Sequence, residues 1–177
     1  LDLRPIIDSD GLTKNKPRFC SVPGNDPYDK GELAETILKE TLSCIKDKTG
    51  GEFFFDIYNN NRSIGAKLSG EIARLNGGKG ISDAPIYLNL KGTAGQSLGA
   101  FNVEGLNINL TGDANDYVGK GMGGGRITIK PPENRKFLPS ETVIIGNTCL
   151  YGATGGKLFA SGQAGERFAV RNSGAVS

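Results

Sequence analysis

The segment 113–120 is the first place in this sequence of 177 residues where chemistry could be expected. It places Asp113, Asn115 and Asp116 close together, with Tyr117 and Lys120 beside them. Carboxylate and amide oxygens can hold a hard cation. The same residue types more commonly bond to turn amides or form ladders along repeated corners, and we favour that interpretation.

The sequence contains no histidine and three cysteines, Cys20, Cys44 and Cys149. Without histidine there is no Ser-His or Cys-His nucleophile and no histidine metal centre. The cysteines are too widely separated for a zinc or iron–sulfur motif. A glycine-rich run at 121–125 precedes a predicted strand instead of a helix, which argues against a phosphate-binding loop. We therefore predict no catalytic, cofactor-binding or metal-binding residue in this chain.

Three arginines are candidates for contacts with other domains or partners. Arg62 lies at the entry to a predicted helix, and Arg167 and Arg171 lie near the C-terminus. Taken alone, a surface arginine is more commonly a solvated charge. Arginine is nevertheless suited to polar interfaces, so Arg62, Arg167 and Arg171 are our predicted interdomain anchors.

These residues must be positioned by a repeat that recurs every twenty residues. The segment 92–95 returns as 112–115, and a related segment follows at 162–165. Alternating apolar residues at 106–110 and 126–130 predict strands with one buried face. A fixed period that joins strands to glycine-rich corners is typical of a solenoid. The glycines predicted to set the corner geometry are Gly119, Gly121, Gly125, Gly152, Gly165 and Gly174.

The remaining elements follow from local patterns. Residues 1–28 are rich in proline and predict an extended arm. Apolar residues at helical spacing predict a helix over 30–47 and a second one that is capped by Ser63 and continues to about residue 75. The segment 53–58 predicts a strand between them. An insertion loop is expected around 131–139. Further strands are expected near 86–90, 106–110, 126–130, 142–145, 157–160 and 167–171.

Composition restricts the class of protein. Hydrophobic residues make up 37% and aromatic residues 7%, and the net charge is +2 without a basic stripe, so nucleic-acid binding is not implied. No long apolar window and no secretory leader are present, which predicts a cytoplasmic protein without membrane contact. The pattern divides the chain into an N-terminal arm and helix, 1–60, and a glycine-repeat domain, 61–177.

The sequence of the repeat resembles that of the C-terminal domain of the large subunit of glutamate synthase, the GXGXG family. The longest similar segment is 112–121, Gly-Asp-Ala-Asn-Asp-Tyr-Val-Gly-Lys-Gly. Other similar phrases lie at 61–65, 92–101, 146–154 and 164–175. The resemblance covers about two thirds of the chain.

The resemblance implies a mainly β fold, a right-handed parallel β-helix. Residues 1–60 fit the family poorly, so the N-terminal extension, with its one or two helices predicted from local spacing, is expected to be particular to this protein. The resemblance also implies a non-catalytic structural role in an enzyme that converts glutamine and 2-oxoglutarate to two glutamates. The domain would dock the glutaminase and FMN domains, and FMN and an iron–sulfur cluster would belong to the other domain. The family continues beyond Ser177, so we expect the repeat to be truncated there or covered by another chain.

Two alternatives remain open from the sequence. A structural subunit of a formylmethanofuran dehydrogenase complex has similar glycine-corner repeats, so this chain could be such a subunit. A polysaccharide-acting enzyme with a parallel β-helix is the third possibility, although the expected row of acidic and basic residues along one face is not evident.

Overall fold

The computed structural model describes residues 2–4, 20–22 and 31–177. Most of the predicted arm at 1–28 lies outside these residues.

Two α-helices pack together beside the sheet. Helix α1, Glu32–Lys46, confirms the predicted first helix, and its buried stripe contains Ala34, Ile37 and Ile45. Helix α2 covers Ala66–Asn76. An ion pair between the Lys67 ammonium and the Glu35 carboxylate joins α2 to α1.

The predicted N-cap of α2, Ser63, is two residues too early, because the observed cap is Gly65. Ser63 does not cap the helix; it has φ 55° and its N–H donates to the Gln96 carbonyl oxygen at 2.8 Å. Gly65, with φ 95°, turns the chain into the helix. The repeat's turn thus overrides the capping preference of serine.

A seven-stranded parallel sheet forms the other layer. The path of neighbouring strands is β1-β2-β3-β4-β6, while β5 pairs with β3 and β7 pairs with β5. The strands are β1 Gly51–Ile57, β2 Ile86–Ala94, β3 Leu106–Ala114, β4 Gly123–Lys130, β5 Val143–Ile145, β6 Gly155–Ala160 and β7 Gln163–Ala164.

The pairing register reproduces the sequence repeat. Ile86 lies beside Leu106, and Gly92 lies beside Gly112, each an offset of twenty residues. The alternating apolar residues of these strands face one core, which also receives side chains from both helices. The short helical turn Pro139–Glu141 lies at the end of the predicted insertion loop.

The predicted fold class, a mainly β right-handed parallel β-helix, is wrong. The structure is α/β, with one parallel sheet of seven strands and helices packed against it. The twenty-residue period requires successive strands to pair in parallel and in register. That requirement does not specify the architecture, and the apolar faces of α1 and α2 are buried in the same core as the sheet.

The predicted strand at 167–171 is also wrong. This segment forms turns, and Arg167, Ala169 and Arg171 have φ values of 58°, 55° and 57°. A left-handed conformation at every second residue is incompatible with an extended strand. Among the described residues, no helix has the length and apolar character needed to cross a membrane.

Candidate functional site: the stacked turns

The turns that follow the strands stack on one another in register. We call the surface formed by segments 61–65, 95–102, 115–122, 146–153 and 165–172 the turn face. The N–H of Ser97 donates to the Asp116 carbonyl oxygen at 2.8 Å. In the next turn, the N–H of Tyr117 donates to the Asn147 carbonyl oxygen at 2.9 Å. Thr148 N–H continues the series to the Glu166 carbonyl oxygen at 2.8 Å.

Alternating left-handed residues allow each turn to bond on both sides. In the segment 117–121, Tyr117, Gly119 and Gly121 have φ values of 64°, 64° and 63°. Gly119 N–H donates to Leu98 in the preceding turn, whereas Gly121 N–H donates to Tyr151 in the following turn. Backbone groups therefore hold the turn face together, and its outward side chains are left for other contacts.

The predicted corner glycines occupy two kinds of position. Gly119, Gly121, Gly125 and Gly152 have positive φ, between 63° and 70°. At Gly125 a Cβ would also collide with the Leu106 carbonyl oxygen. Gly165 and Gly174 are not in the left-handed region, but a Cβ at Gly165 would lie 2.5 Å from Asn147 Oδ1, and one at Gly174 would collide with the Thr154 carbonyl oxygen.

Polar side chains form a ladder along the turn face. Asp116 Oδ1 accepts a hydrogen bond from the Asn147 N–H at 2.7 Å, and Asn147 Oδ1 accepts one from the Glu166 N–H at 2.7 Å. At the first turn, an Arg62 guanidinium nitrogen donates to Gln96 Oε1 at 2.7 Å.

The carboxylate and amide groups at 113–116 bond to protein. Asp113 Oδ1 accepts from the Thr93 hydroxyl at 2.8 Å, and Asn115 Nδ2 donates to Asn59 Oδ1 at 2.7 Å. The preferred ladder interpretation is confirmed. Residues 2–4, 20–22 and 31–177 contain no cluster of three or more histidine, cysteine or acidic side chains suited to a metal.

Aromatic and cationic side chains meet on the same surface. Lys120 Nζ lies 5.3 Å from the ring centre of Tyr117 and 6.0 Å from that of Tyr151. The Arg171 guanidinium lies 5.9 Å from the Tyr151 ring centre, and its Nη1 donates to the Tyr151 hydroxyl at 3.2 Å. Such cation–π contacts fix the charged groups in place and contribute about 0.5–1 kcal/mol each at exposed sites.

The three predicted anchors are all exposed, but they do not form one cluster. Arg62 lies in the first turn of the turn face, while Arg167 and Arg171 lie in the last. Only Arg171 joins the aromatic and cationic side chains. Tyr151 was not among the residues predicted to lie beside Lys120. Their equivalent positions in successive turns, just before Gly121 and Gly152, could have indicated it.

Cys149 is buried within the turns and is not suited to nucleophilic chemistry. Burial raises the pKa of the Cys149 thiol to about 11. The thiol donates to the Gly146 carbonyl oxygen at 3.3 Å. A thiol with this pKa stays protonated at neutral pH, and the thiolate is the reactive form.

Comparison with known proteins places these turns in a family. The sequence profile described as "GXGXG motif" matches residues 32–177. A ferredoxin-dependent glutamate synthase of Cyanidium caldarium is 60% identical over 94% of the chain and 11% of the relative. A ferredoxin-dependent glutamate synthase of Pyropia yezoensis is 52% identical over the whole chain and 11% of the relative. A glutamate synthase [NADH] of Schizosaccharomyces pombe is 53% identical over the whole chain and 8% of the relative. The chain spans about a tenth of the length of these relatives.

Proposed function

We propose, starting from the fact that this chain belongs to the GXGXG motif family, that it is a structural part of a glutamate synthase. It would dock the glutaminase and FMN domains and carry out neither reaction itself. FMN and an iron–sulfur cluster would belong to the flavin domain of the enzyme. The relatives named above are glutamate synthases, which favours this proposal over the formylmethanofuran dehydrogenase alternative. The argument for a polysaccharide-acting enzyme depended on the β-helix that the structure contradicts.

The stacking of the turns carries this proposal. The turns bond to one another through backbone groups, as between Ser97 and Asp116 and between Gly119 and Leu98. Backbone pairing of this kind does not depend on the identity of the outward side chains. A rigid surface whose side chains can vary is well suited to hold two other domains at a fixed separation.

The backbone at Arg171 supports its role as an anchor. Arg171 has positive φ, and the equivalent residues in the two preceding turns are Gly121 and Gly152. A non-glycine residue in the left-handed region costs of the order of 1 kcal/mol. Strain that glycine would relieve is commonly stored where the side chain has a function, so we assign Arg171 to a contact with a neighbouring domain. The position of Arg167 is left-handed in the other turns too, as at Tyr117 and Thr148, so its assignment depends on its exposure and charge.

Arg62 would anchor the opposite end of the turn face. Its guanidinium donates to Gln96 Oε1 while the side chain remains exposed. With anchors at both ends, one turn face could contact two domains at once. This arrangement would keep two reaction centres in register so that ammonia passes between them without escaping to solvent.

The test is a glutamate synthase that carries this sequence with Arg62→Ala, Arg167→Ala or Arg171→Ala. Glutamine hydrolysis and glutamate formation are measured in the same reaction, together with free ammonia. We expect each variant to release up to about tenfold more ammonia per glutamate formed, the range of a lost interface arginine. Lys39→Ala, an exposed substitution on α1, is the matched control and should leave the ratio unchanged.

Unchanged ammonia release in all three arginine variants would contradict the anchor assignments. Full synthase activity and a normal assembly in an enzyme from which residues 31–177 are deleted would contradict the docking role itself.

A further inference from the structure

The outer face of the parallel sheet carries a groove that the turn face does not explain. Two clefts, of about 690 and 520 Å³, share Thr128 and Lys130 as lining residues, so they are continuous across the strands. Phe54 on β1 lines the first cleft and Phe159 on β6 lines the second. We call this surface the sheet groove.

The floor of the sheet groove is one row of side chains in register. The pairing places Phe54, Asn89, Asn109, Thr128 and Phe159 next to one another in order. The middle of the row is polar: Asn109 Nδ2 donates to Asn89 Oδ1 at 3.0 Å. The two ends are apolar and open, since Phe54 is 72% exposed and Phe159 is 45% exposed.

Cations flank this row on both sides. Two residues further along each strand, towards its C-terminal end, the next row contains Lys91 and Lys130. Two residues in the opposite direction, the neighbouring row contains Arg126 and Lys157. All four are exposed, and within the described part of the chain none of them forms an ion pair. The acidic residues of this face are Glu52 and Asp56 on the edge strand β1 and Asp113 near the end of β3, where its Oδ1 accepts from the Thr93 hydroxyl at 2.8 Å. None lies on β4 or β6.

We propose that the sheet groove binds an extended acidic segment of a partner protein. Carboxylates of this segment would lie over β4 and β6, where Arg126, Lys130 and Lys157 are unpaired. An apolar side chain at each end would pack on Phe54 and Phe159. Charge complementarity selects an acidic partner, and it contributes to specificity and the rate of association more than to affinity.

The dimensions of the groove set the length of the segment. The row crosses five strands, so with about 4.8 Å between neighbouring strands its ends are roughly 19 Å apart. An extended chain advances about 3.3 Å per residue, so roughly six residues span this distance. Asn89 Nδ2 donates to Glu52 Oε1 at 2.8 Å and Asn89 Oδ1 accepts from Asn109, which leaves the Asn109 side-chain oxygen as the amide acceptor for a backbone N–H of such a segment.

The test is calorimetric titration of the chain with the capped peptide Phe-Glu-Glu-Glu-Glu-Phe, and with Phe-Lys-Lys-Lys-Lys-Phe as the matched probe. We expect the acidic peptide to bind and the basic peptide to bind at least about tenfold more weakly, because exposed charges attract or repel within a Debye length. Binding of the acidic peptide should also weaken as the salt concentration rises.

Substitutions then locate the site. In Arg126→Glu/Lys130→Glu the affinity for the acidic peptide should fall about tenfold or more. Lys39→Glu/Lys79→Glu makes the same change in net charge at exposed positions on and beside the helices, outside the groove lining, and should change the affinity less than about twofold. Circular dichroism would verify that both variants keep the fold.

Equal affinity for the two peptides, no binding of the acidic peptide, or equal weakening in both double variants would overturn the proposal. Phe54→Ala gives an independent check. Loss of the Phe54 ring should lower the affinity for the acidic peptide without altering the salt dependence of binding. The second cleft reaches Phe168 of the turn face, but the two tests substitute different residues and use different readouts, so either proposal can fail while the other stands.

Discussion

The central repeats and the C-terminal repeats of this chain solve the same folding problem with different residues. In the centre, β2 and β3 are nine residues long and pair along their whole length. Near the C-terminus, β5 and β7 have three and two residues, and their pairing shifts register. Both regions nevertheless keep the same stacked turns.

The difference is clearest at the second left-handed position of each turn. This position is Gly99 and Gly119 in the central turns, and Leu150 and Ala169 in the later turns. The later residues have φ values of 57° and 55°, a conformation that side chains rarely adopt. The comparison teaches that hydrogen bonding between turns dictates the backbone, and that glycine makes that backbone less costly without being required everywhere.

Gly125→Ala in the central region should have the largest effect on the free energy of unfolding. A Cβ would combine positive φ with a collision against the Leu106 carbonyl oxygen, so we expect a loss of more than about 4 kcal/mol or failure to fold. Gly152→Ala has similar φ but open space around its Cβ and should cost about 1 kcal/mol. Urea unfolding followed by circular dichroism measures both. Similar losses would show that collision with neighbouring turns is unimportant.

Truncation of core side chains should also destabilise the central region more than the C-terminal region, by a smaller difference in the free energy of unfolding than the glycine substitutions. Ile108→Ala removes a fully buried side chain from β3, which pairs with strands on both sides, and should cost about 3–5 kcal/mol. Leu158→Ala removes an equally buried side chain from β6, the last strand of the path. It should cost about 2–3 kcal/mol, because within the described residues the outer edge of β6 is covered only by a single bridge to Val176 and can relax. Thermal or urea denaturation gives the values. A larger loss at Leu158 would reverse the proposed order of the two regions.

The Cys149 thiol should make the C-terminal turns sensitive to alkaline pH. Its folded pKa of about 11 is raised by burial, so the folded state favours the neutral thiol. The associated stability is complete below the unfolded pKa of about 9 and is lost as pH rises through about 11, with a total of roughly 2–3 kcal/mol.

The measurement compares urea unfolding of the wild type and of Cys149→Ala between pH 8 and 11. The stability difference between the two proteins should decrease over this interval, and Cys20→Ala, at an exposed cysteine, should show no such change. If the stability difference between wild type and Cys149→Ala stayed constant over this pH range, folding would not raise the pKa of the Cys149 thiol and the prediction would be wrong.

Arg167→Gly should produce the smallest change, and in the opposite direction. Glycine relieves the strain at φ 58°, so the free energy of unfolding should rise by about 0.5–1 kcal/mol. Lys39→Gly is the contrasting control, since it lies within α1 and should lose about 1 kcal/mol. Destabilisation by Arg167→Gly, measured by urea unfolding, would show that this arginine makes contacts that outweigh its strain.

Local patterns predicted most of the elements but not their arrangement. The alternating residues at 106–110 and 126–130 correctly placed strands β3 and β4, and the apolar stripe correctly placed α1. The segment 167–171 was wrongly predicted as a strand, because nothing in its composition reveals three left-handed residues. Those conformations are imposed by hydrogen bonds to the preceding turn, such as that from Ala169 N–H to Cys149.

The candidate site followed the same division. Asp113, Asn115 and Asp116 were predicted as ladder residues, since their preference for bonding turn amides is local. The meeting of Lys120 with Tyr151, which are separated by the insertion loop, was not predicted. Sequence separation does not indicate which turns become neighbours once a loop interrupts the period.

By itself, the sequence determined the twenty-residue register, because side chains that alternate in a strand and recur at a constant spacing can bury one face only when neighbouring strands align. Tertiary structure decided that the helices form one layer against the sheet. An apolar helix stripe or sheet face must be buried, but its sequence does not specify which element covers it. Tertiary structure also decided which charged side chains remain exposed and unpaired on the sheet groove, because that depends on which elements cover each face.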